Sequence, residues 1–150
     1  MDFKNKEEFT VIGLETETTV QETQSEKNKL PKLWKDFMQR IEELKNLTPG
    51  IHYGLCITTG ECSFKYIACS AVDDKEDIPP GMVKHKVPKA MYAVVSHKGK
   101  LDTLGQTYGK MEQDMKKKGL KENSTWLEVY DKRYKENSDD SIFEIWAALK

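Results

Sequence analysis

Apolar residues follow two rhythms along the chain. Leu30, Leu33, Trp34, Phe37, Ile41 and Leu44 recur at three- and four-residue steps, which places them on one stripe of a helix. Asn28 is placed to cap that helix, Pro31 falls in its first turn and Thr48-Pro49-Gly50 stops it. Leu101, Leu104, Tyr108, Met111 and Met115 form a second helical stripe. Lys116-Lys117-Lys118 sits at the end where the helix dipole favours cations, and Gly119 follows. Elsewhere, runs of β-branched and aromatic residues predict strands over 9–19, 51–57, 62–72, 83–96, 126–130 and 142–149. Pro88 interrupts the fourth of these and suggests an edge or a kink. Residues 1–8 are charged and read as loose, and 21–28, 73–77 and 131–141 read as polar loops.

The elements run strand–helix–strand–strand, break at Ile78-Pro79-Pro80-Gly81, then run strand–helix–strand–strand again. This is a duplicated βαββ module, with repeat one over about 9–73 and repeat two over about 83–150. One βαββ unit cannot bury its own helix. Two side by side form an antiparallel sheet carrying two helices, an α+β fold in one domain over 1–150, with a ligand groove between the halves.

Composition narrows the function. The chain has 24 basic and 25 acidic residues and no long basic run, which argues against direct nucleic-acid binding. No apolar run reaches membrane-spanning length, and the polar start lacks a secretory h-region. Cys56, Cys62 and Cys69 form neither a zinc pattern nor a disulfide framework; they read as small hydrophobes in a reducing cytoplasm. Asp73 to Asp77 holds four acids in five residues without EF-hand spacing, so it reads as a solvated connection, and neither metal nor cofactor is expected.

The chemistry concentrates in Trp126-Leu127-Glu128-Val129-Tyr130. Alternation along a strand sends Trp126, Glu128 and Tyr130 to one face and Leu127 and Val129 to the other. A carboxylate between two aromatic rings suits a pocket for a lipophilic cation. It also suits a carboxylate used as an acid or base. The alternative is an acid at a wet sheet edge. His52, His85 and His97 lie in no recognisable triad or metal context.

Leu30-Pro31-Lys32-Leu33-Trp34-Lys35-Asp36-Phe37, Tyr53-Gly54-Leu55, Phe64-Lys65-Tyr66-Ile67-Ala68, Ile78-Pro79-Pro80-Gly81-Met82, Tyr92-Ala93-Val94-Val95-Ser96-His97-Lys98-Gly99 and Trp126-Leu127-Glu128-Val129-Tyr130-Asp131 resemble, in this order and spacing, the GyrI-like small-molecule-binding family. That family includes the effector-binding domains of multidrug-sensing transcription activators. The resemblance runs from about Phe9 to the C-terminus and implies a pair of βαββ modules. It implies a pocket for bulky aromatic or cationic compounds, with the family's acid falling on Glu128. Trp126 and Leu127 depart from many members at the positions before the acid. With the module starting within about ten residues of Met1, too few for a helix-turn-helix, the chain resembles a stand-alone member.

Three functions are consistent with the resemblance. In a small-molecule binder, Glu128 would neutralise a cation while Trp126, Tyr130, Tyr53, Tyr66 and Trp146 supply flat surfaces and cation–π contact. In a hydrolase opening the cyclopropane ring of alkylating natural products, Glu128 would act as general base, with Tyr108 or Tyr130 hydrogen-bonding the oxygen that gains charge. In a protein-partner inhibitor, such as a gyrase-binding protein, surface loops would matter instead. Glu144 reads as a second pocket acid if the last two strands pair as a hairpin and bring it beside Glu128, and otherwise as a solvated acid, which is the preferred reading.

Overall fold

The computed structural model describes residues 1–150. Eight strands make up one antiparallel sheet: β1 (Asp2–Lys6), β2 (Phe9–Thr19), β3 (His52–Thr58), β4 (Ser63–Val72), β5 (Val83–Val87), β6 (Ala90–Lys98), β7 (Glu122–Tyr130) and β8 (Ile142–Leu149). Their order across the sheet is β1-β6-β8-β7-β3-β4-β2-β5. A single turn, α1 (Val20–Thr23), and two longer helices, α2 (Leu30–Gln39) and α3 (Leu104–Lys117), complete the α+β fold.

The order reads the same from its centre outwards. β3 and β7 pair in the middle, β4 and β8 flank them, and β2 and β6 come next. The outermost strands then cross over: β1 leads into β2 but pairs with β6, and β5 leads into β6 but pairs with β2. Each half is therefore one strand longer at its start than a βαββ unit, and lends that strand to the other half.

Several local expectations change. Residues 1–8 are not loose, because β1 lies in register with β6 from Asp2↔Val94 to Lys6↔Ala90. Four of its five side chains are exposed, so backbone pairing rather than burial holds it and no apolar alternation marks it. The expected strand over 83–96 is two strands at opposite ends of the sheet, broken at Pro88-Lys89, where proline cannot donate to a ladder. The first helix ends at Gln39, before Thr48-Pro49-Gly50, and Ile41–Glu43 continue as a 3-10 turn. There Glu76, from the acidic loop, accepts the Lys45 and Asn46 backbone N–H groups at 2.7 and 2.8 Å. Glu76 is thus buried and structural rather than solvated. The second helix ends as expected, with Gly119 at φ 68° and Leu120 N–H bonded back to Met115 O.

Both helices lie on one face of the sheet. Phe37 of α2 packs with Ile12, Leu44, Tyr66 and Ala68; Met111 and Met115 of α3 pack with Ala93, Trp126, Phe143 and Ile145. The opposite face carries no helix, yet Val11, Leu55, Ile67, Val87, Tyr92 and Leu127 on it are fully buried. The sheet covers this face by rolling onto itself. Two-residue links, Glu7-Glu8 and Pro88-Lys89, tie the two ends of the strand order together and force that curvature. No helix is long and apolar enough to cross a membrane.

Candidate functional site

The centre of the sheet places Glu128 where the two halves meet. β7 carries it directly opposite Gly54 of β3, and strand alternation turns Trp126, Glu128 and Tyr130 toward the helices. Leu127 and Val129 enter the core on the other face. Glu128 is only 6% exposed and takes part in no ion pair.

Three phenols hold its carboxylate. Tyr66 of β4 donates to Oε1 at 2.7 Å, Tyr130 of β7 donates to the same oxygen at 2.9 Å, and Tyr108 of α3 donates to Oε2 at 2.7 Å. The Trp34 indole N–H of α2 donates to the Tyr66 hydroxyl at 2.9 Å, so the single Tyr66 proton is directed at Glu128. Trp34, Tyr66 and Gly54 come from repeat one, and Glu128, Tyr130 and Tyr108 from repeat two. Neither half makes the site alone.

Aromatic rings pack around it. Trp34 meets Tyr130 edge-on at 5.3 Å, Tyr108 tilts against Trp126 at 5.7 Å, and Phe143 stacks beneath Tyr130 at 4.6 Å. Burial, followed by the Glu128 charge, pushes the Tyr66, Tyr108 and Tyr130 hydroxyls well above the usual tyrosine range. The Cys56 thiol is raised for the same two reasons, first burial and then Glu128. The phenols therefore stay protonated and act as donors.

Tyr66 sits on β4 and Glu128 on β7, with β3 between them. The hydroxyl crosses β3 at Gly54, where a Cβ would lie 2.1 Å from Tyr66 Oη and 2.8 Å from Glu128 Oε1. Glycine at this position is what lets the two touch. On the other side, His97 fixes the start of α3. Its Nε2 donates to the Lys100 carbonyl at 2.8 Å, so in the neutral ring Nδ1 accepts from Thr107, the neighbour of Tyr108, at 2.7 Å.

Of the residues singled out in the sequence, Glu128, Trp126, Tyr130, Tyr66 and Tyr108 come together here. Tyr53 and Trp146 do not: both point to the opposite, helix-free face. The reason is parity. Gly54 and Cys56 share the Glu128 face of β3, which turns Tyr53 away, and on β8 Ile145, opposite Glu128, takes the site face and leaves Trp146 behind it. Glu144 leaves with Trp146, accepting from the Trp146 indole at 2.9 Å and from Arg133 at 3.2 Å. The sequence reading missed Trp34, hidden as one more apolar residue in a helical stripe. It also passed over Gly54, although a glycine inside a strand marks close approach. No group of three or more His, Cys, Asp or Glu side chains is gathered to hold a metal ion.

Comparison with known proteins identifies the family and the fold. Residues 3–149 match the family described as Cass2, integron-associated effector binding protein. The transcriptional regulator BrlR of Pseudomonas aeruginosa is 29% identical over 106 residues, covering 69% of this chain. The match takes in 39% of BrlR, so the chain spans well under half the length of that curated relative. The structure of SAV2435 bound to tetraphenylphosphonium superposes with a TM-score of 0.75 at 17% identity, covering 99% of this chain and 93% of that one. The Vibrio cholerae integron cassette protein VCH_CASS2 superposes at 0.71 with 20% identity, covering 99% and 95%. At such identities the two structures speak for the fold, while the match over 3–149 carries the family. The chain belongs to the integron-associated effector binding proteins, a small-molecule-binding family of GyrI-like fold.

Proposed function

We propose that this protein binds a bulky aromatic cation at Glu128. The observation that carries the reading is a buried carboxylate that no lysine or arginine neutralises. Three neutral donors stabilise its charge without cancelling it, so the site attracts a cation from outside. Its walls are the faces and edges of Trp34, Trp126, Tyr108 and Tyr130, which suit cation–π contact. SAV2435, whose structure holds tetraphenylphosphonium, has the same fold.

The hydrogen bonding also favours one kind of cation. A carboxylate offers about four lone-pair positions, and three are taken by phenols. A primary ammonium, with three N–H donors, finds one free lone-pair position on Oε2, so two of its donors go unanswered by the carboxylate. A quaternary or phosphonium cation needs only charge and aromatic surface, and leaves the phenols in place. The hydrolase reading would have to hold its attacking water on the one lone-pair position left on Oε2.

Quenching of tryptophan fluorescence tests the proposal. Tetraphenylphosphonium should quench saturably, neutral triphenylphosphine oxide should bind at least about tenfold more weakly, and a primary arylalkylamine should rank between them. Equal affinity for the cation and the neutral compound would refute it.

A further inference from the structure

The aromatic residues that Glu128 leaves unused collect on the opposite face of the sheet. Tyr92 lies at the floor there, fully buried, and its hydroxyl has no hydrogen-bond partner. Trp146 packs edge-on against Tyr92 at 5.4 Å, and Phe9 and Tyr53 lie 5.3 Å apart. Burial pushes the Tyr92 hydroxyl up to about 12, with Tyr53 adding to the effect.

Two cations stand at the rim. Lys4 is opposite Tyr92 in the β1–β6 ladder and Lys6 is two residues on, so both point to the same face. Lys6 Nζ sits 4.4 Å from the centre of the Phe9 ring and 5.9 Å from that of Tyr53, and Lys4 Nζ sits 5.4 Å from that of Trp146. Lys4 lies 4.0 Å from Glu144. Lys6 has no carboxylate partner, and partial burial lowers its pKa. Two acids share this side of the sheet: Asp2, exposed and two residues before Lys4 on β1, and Glu144, whose oxygens are already taken by Arg133 and the Trp146 indole.

These groups ask for one kind of ligand. A cation would meet Lys4 and Lys6. A neutral hydrocarbon would leave the Tyr92 hydroxyl and the Lys6 charge unanswered. An acceptor-only anion on a flat ring answers both. We propose that this face binds a small aromatic carboxylate, its ring against Phe9, Tyr53 and Trp146 and its carboxylate accepting from Lys6 Nζ and the Tyr92 hydroxyl. The protein would then offer two faces of opposite preference, a cation at Glu128 and an anion behind it. This second site stands independently of the first.

Titration with benzoate, followed by calorimetry and by NMR of the full chain, tests it. The wild type should bind saturably, and Lys6→Met and Tyr92→Phe should each weaken binding about tenfold or more. Tyr92→Phe removes a hydroxyl that has no partner in the free protein, so its Tm should stay level or rise while benzoate binding falls. A purely structural tyrosine would show the reverse. Saturating tetraphenylphosphonium should leave the benzoate isotherm unchanged. The proposal is overturned by the absence of saturable binding at millimolar benzoate, by binding indifferent to both substitutions, or by competition with the phosphonium.

Discussion

Tyr66 reaches Glu128 over the top of an intervening strand, its hydroxyl 2.7 Å from Oε1, by passing across Gly54. The hydrogen bond therefore depends on an absent side chain as much as on the two that are present. Gly54→Ala would place a methyl group 2.1 Å from the Tyr66 hydroxyl and 2.7 Å from its ring carbon Cζ. Tyr66 would be pushed off the carboxylate, and the Trp34 N–H would lose its acceptor. Overpacking plus a lost charge-assisted hydrogen bond costs about 2–4 kcal/mol. Denaturant unfolding should show that loss; a Gly54→Ala protein as stable as wild type would mean that Tyr66 has another resting place.

The three phenols are not equivalent. Tyr108→Phe removes one donor to Oε2 and should cost about 1.5–3 kcal/mol, the range for hydrogen bonds to charged groups. Tyr66→Phe removes a donor to Oε1 and also takes the acceptor from the half-buried Trp34 N–H, so it should cost more. Parallel urea titrations of the two variants give the order. Tyr108→Phe proving the more damaging would contradict the network described here.

Alkaline pH should expose the same network. The folded pKa values of Tyr66, Tyr108 and Tyr130 lie well above the usual tyrosine value of about 10, which they recover when the chain unfolds. Below that pH both states keep the protons and stability is unaffected. Above it the unfolded chain gives up protons that the folded chain retains, so stability falls as pH rises toward the folded values. Stability curves should be flat through neutral pH and decline above about 10. The tyrosinate absorbance of these three should appear together with unfolding rather than before it. Ionisation of all six tyrosines in the still-folded protein would show the site to be open to water.

His97 is a positioning residue for Tyr108, through Thr107 and the Lys100 carbonyl. His97→Ala should loosen the first turn of α3 and weaken cation binding without touching Glu128. His97→Gln keeps an N–H and a carbonyl acceptor and should restore part of the affinity. Equal losses in both would assign His97 to packing against Phe143 instead.

The βαββ order, the two helices and the facing of Trp126, Glu128 and Tyr130 were legible in the sequence, because burial on one side writes a period into the residues. β1 was not: it is held by its backbone, and its alternate residues Asp2, Lys4 and Lys6 are all charged and carry no such period. Tyr53 and Trp146 illustrate a second limit. Both are aromatic neighbours of the right strands, but a pocket on one face draws on every second residue, and only the register decides which. Gly54↔Glu128 and Glu128↔Ile145 settle that parity, and neither pairing can be read from one strand alone. Trp34 shows a third limit, since hydrophobic spacing explains its ring and says nothing of its N–H.

The central claim is that the unpaired charge of Glu128 is what a ligand recognises. Glu128→Gln keeps the shape and removes the charge, and isothermal calorimetry with tetraphenylphosphonium on both proteins measures the difference. We expect the wild type to bind, and the variant to lose about 1.5–3 kcal/mol of binding free energy or more while remaining folded. Wild-type affinity in a folded Glu128→Gln protein would contradict the account, leaving the buried carboxylate as a structural anchor for its three tyrosines.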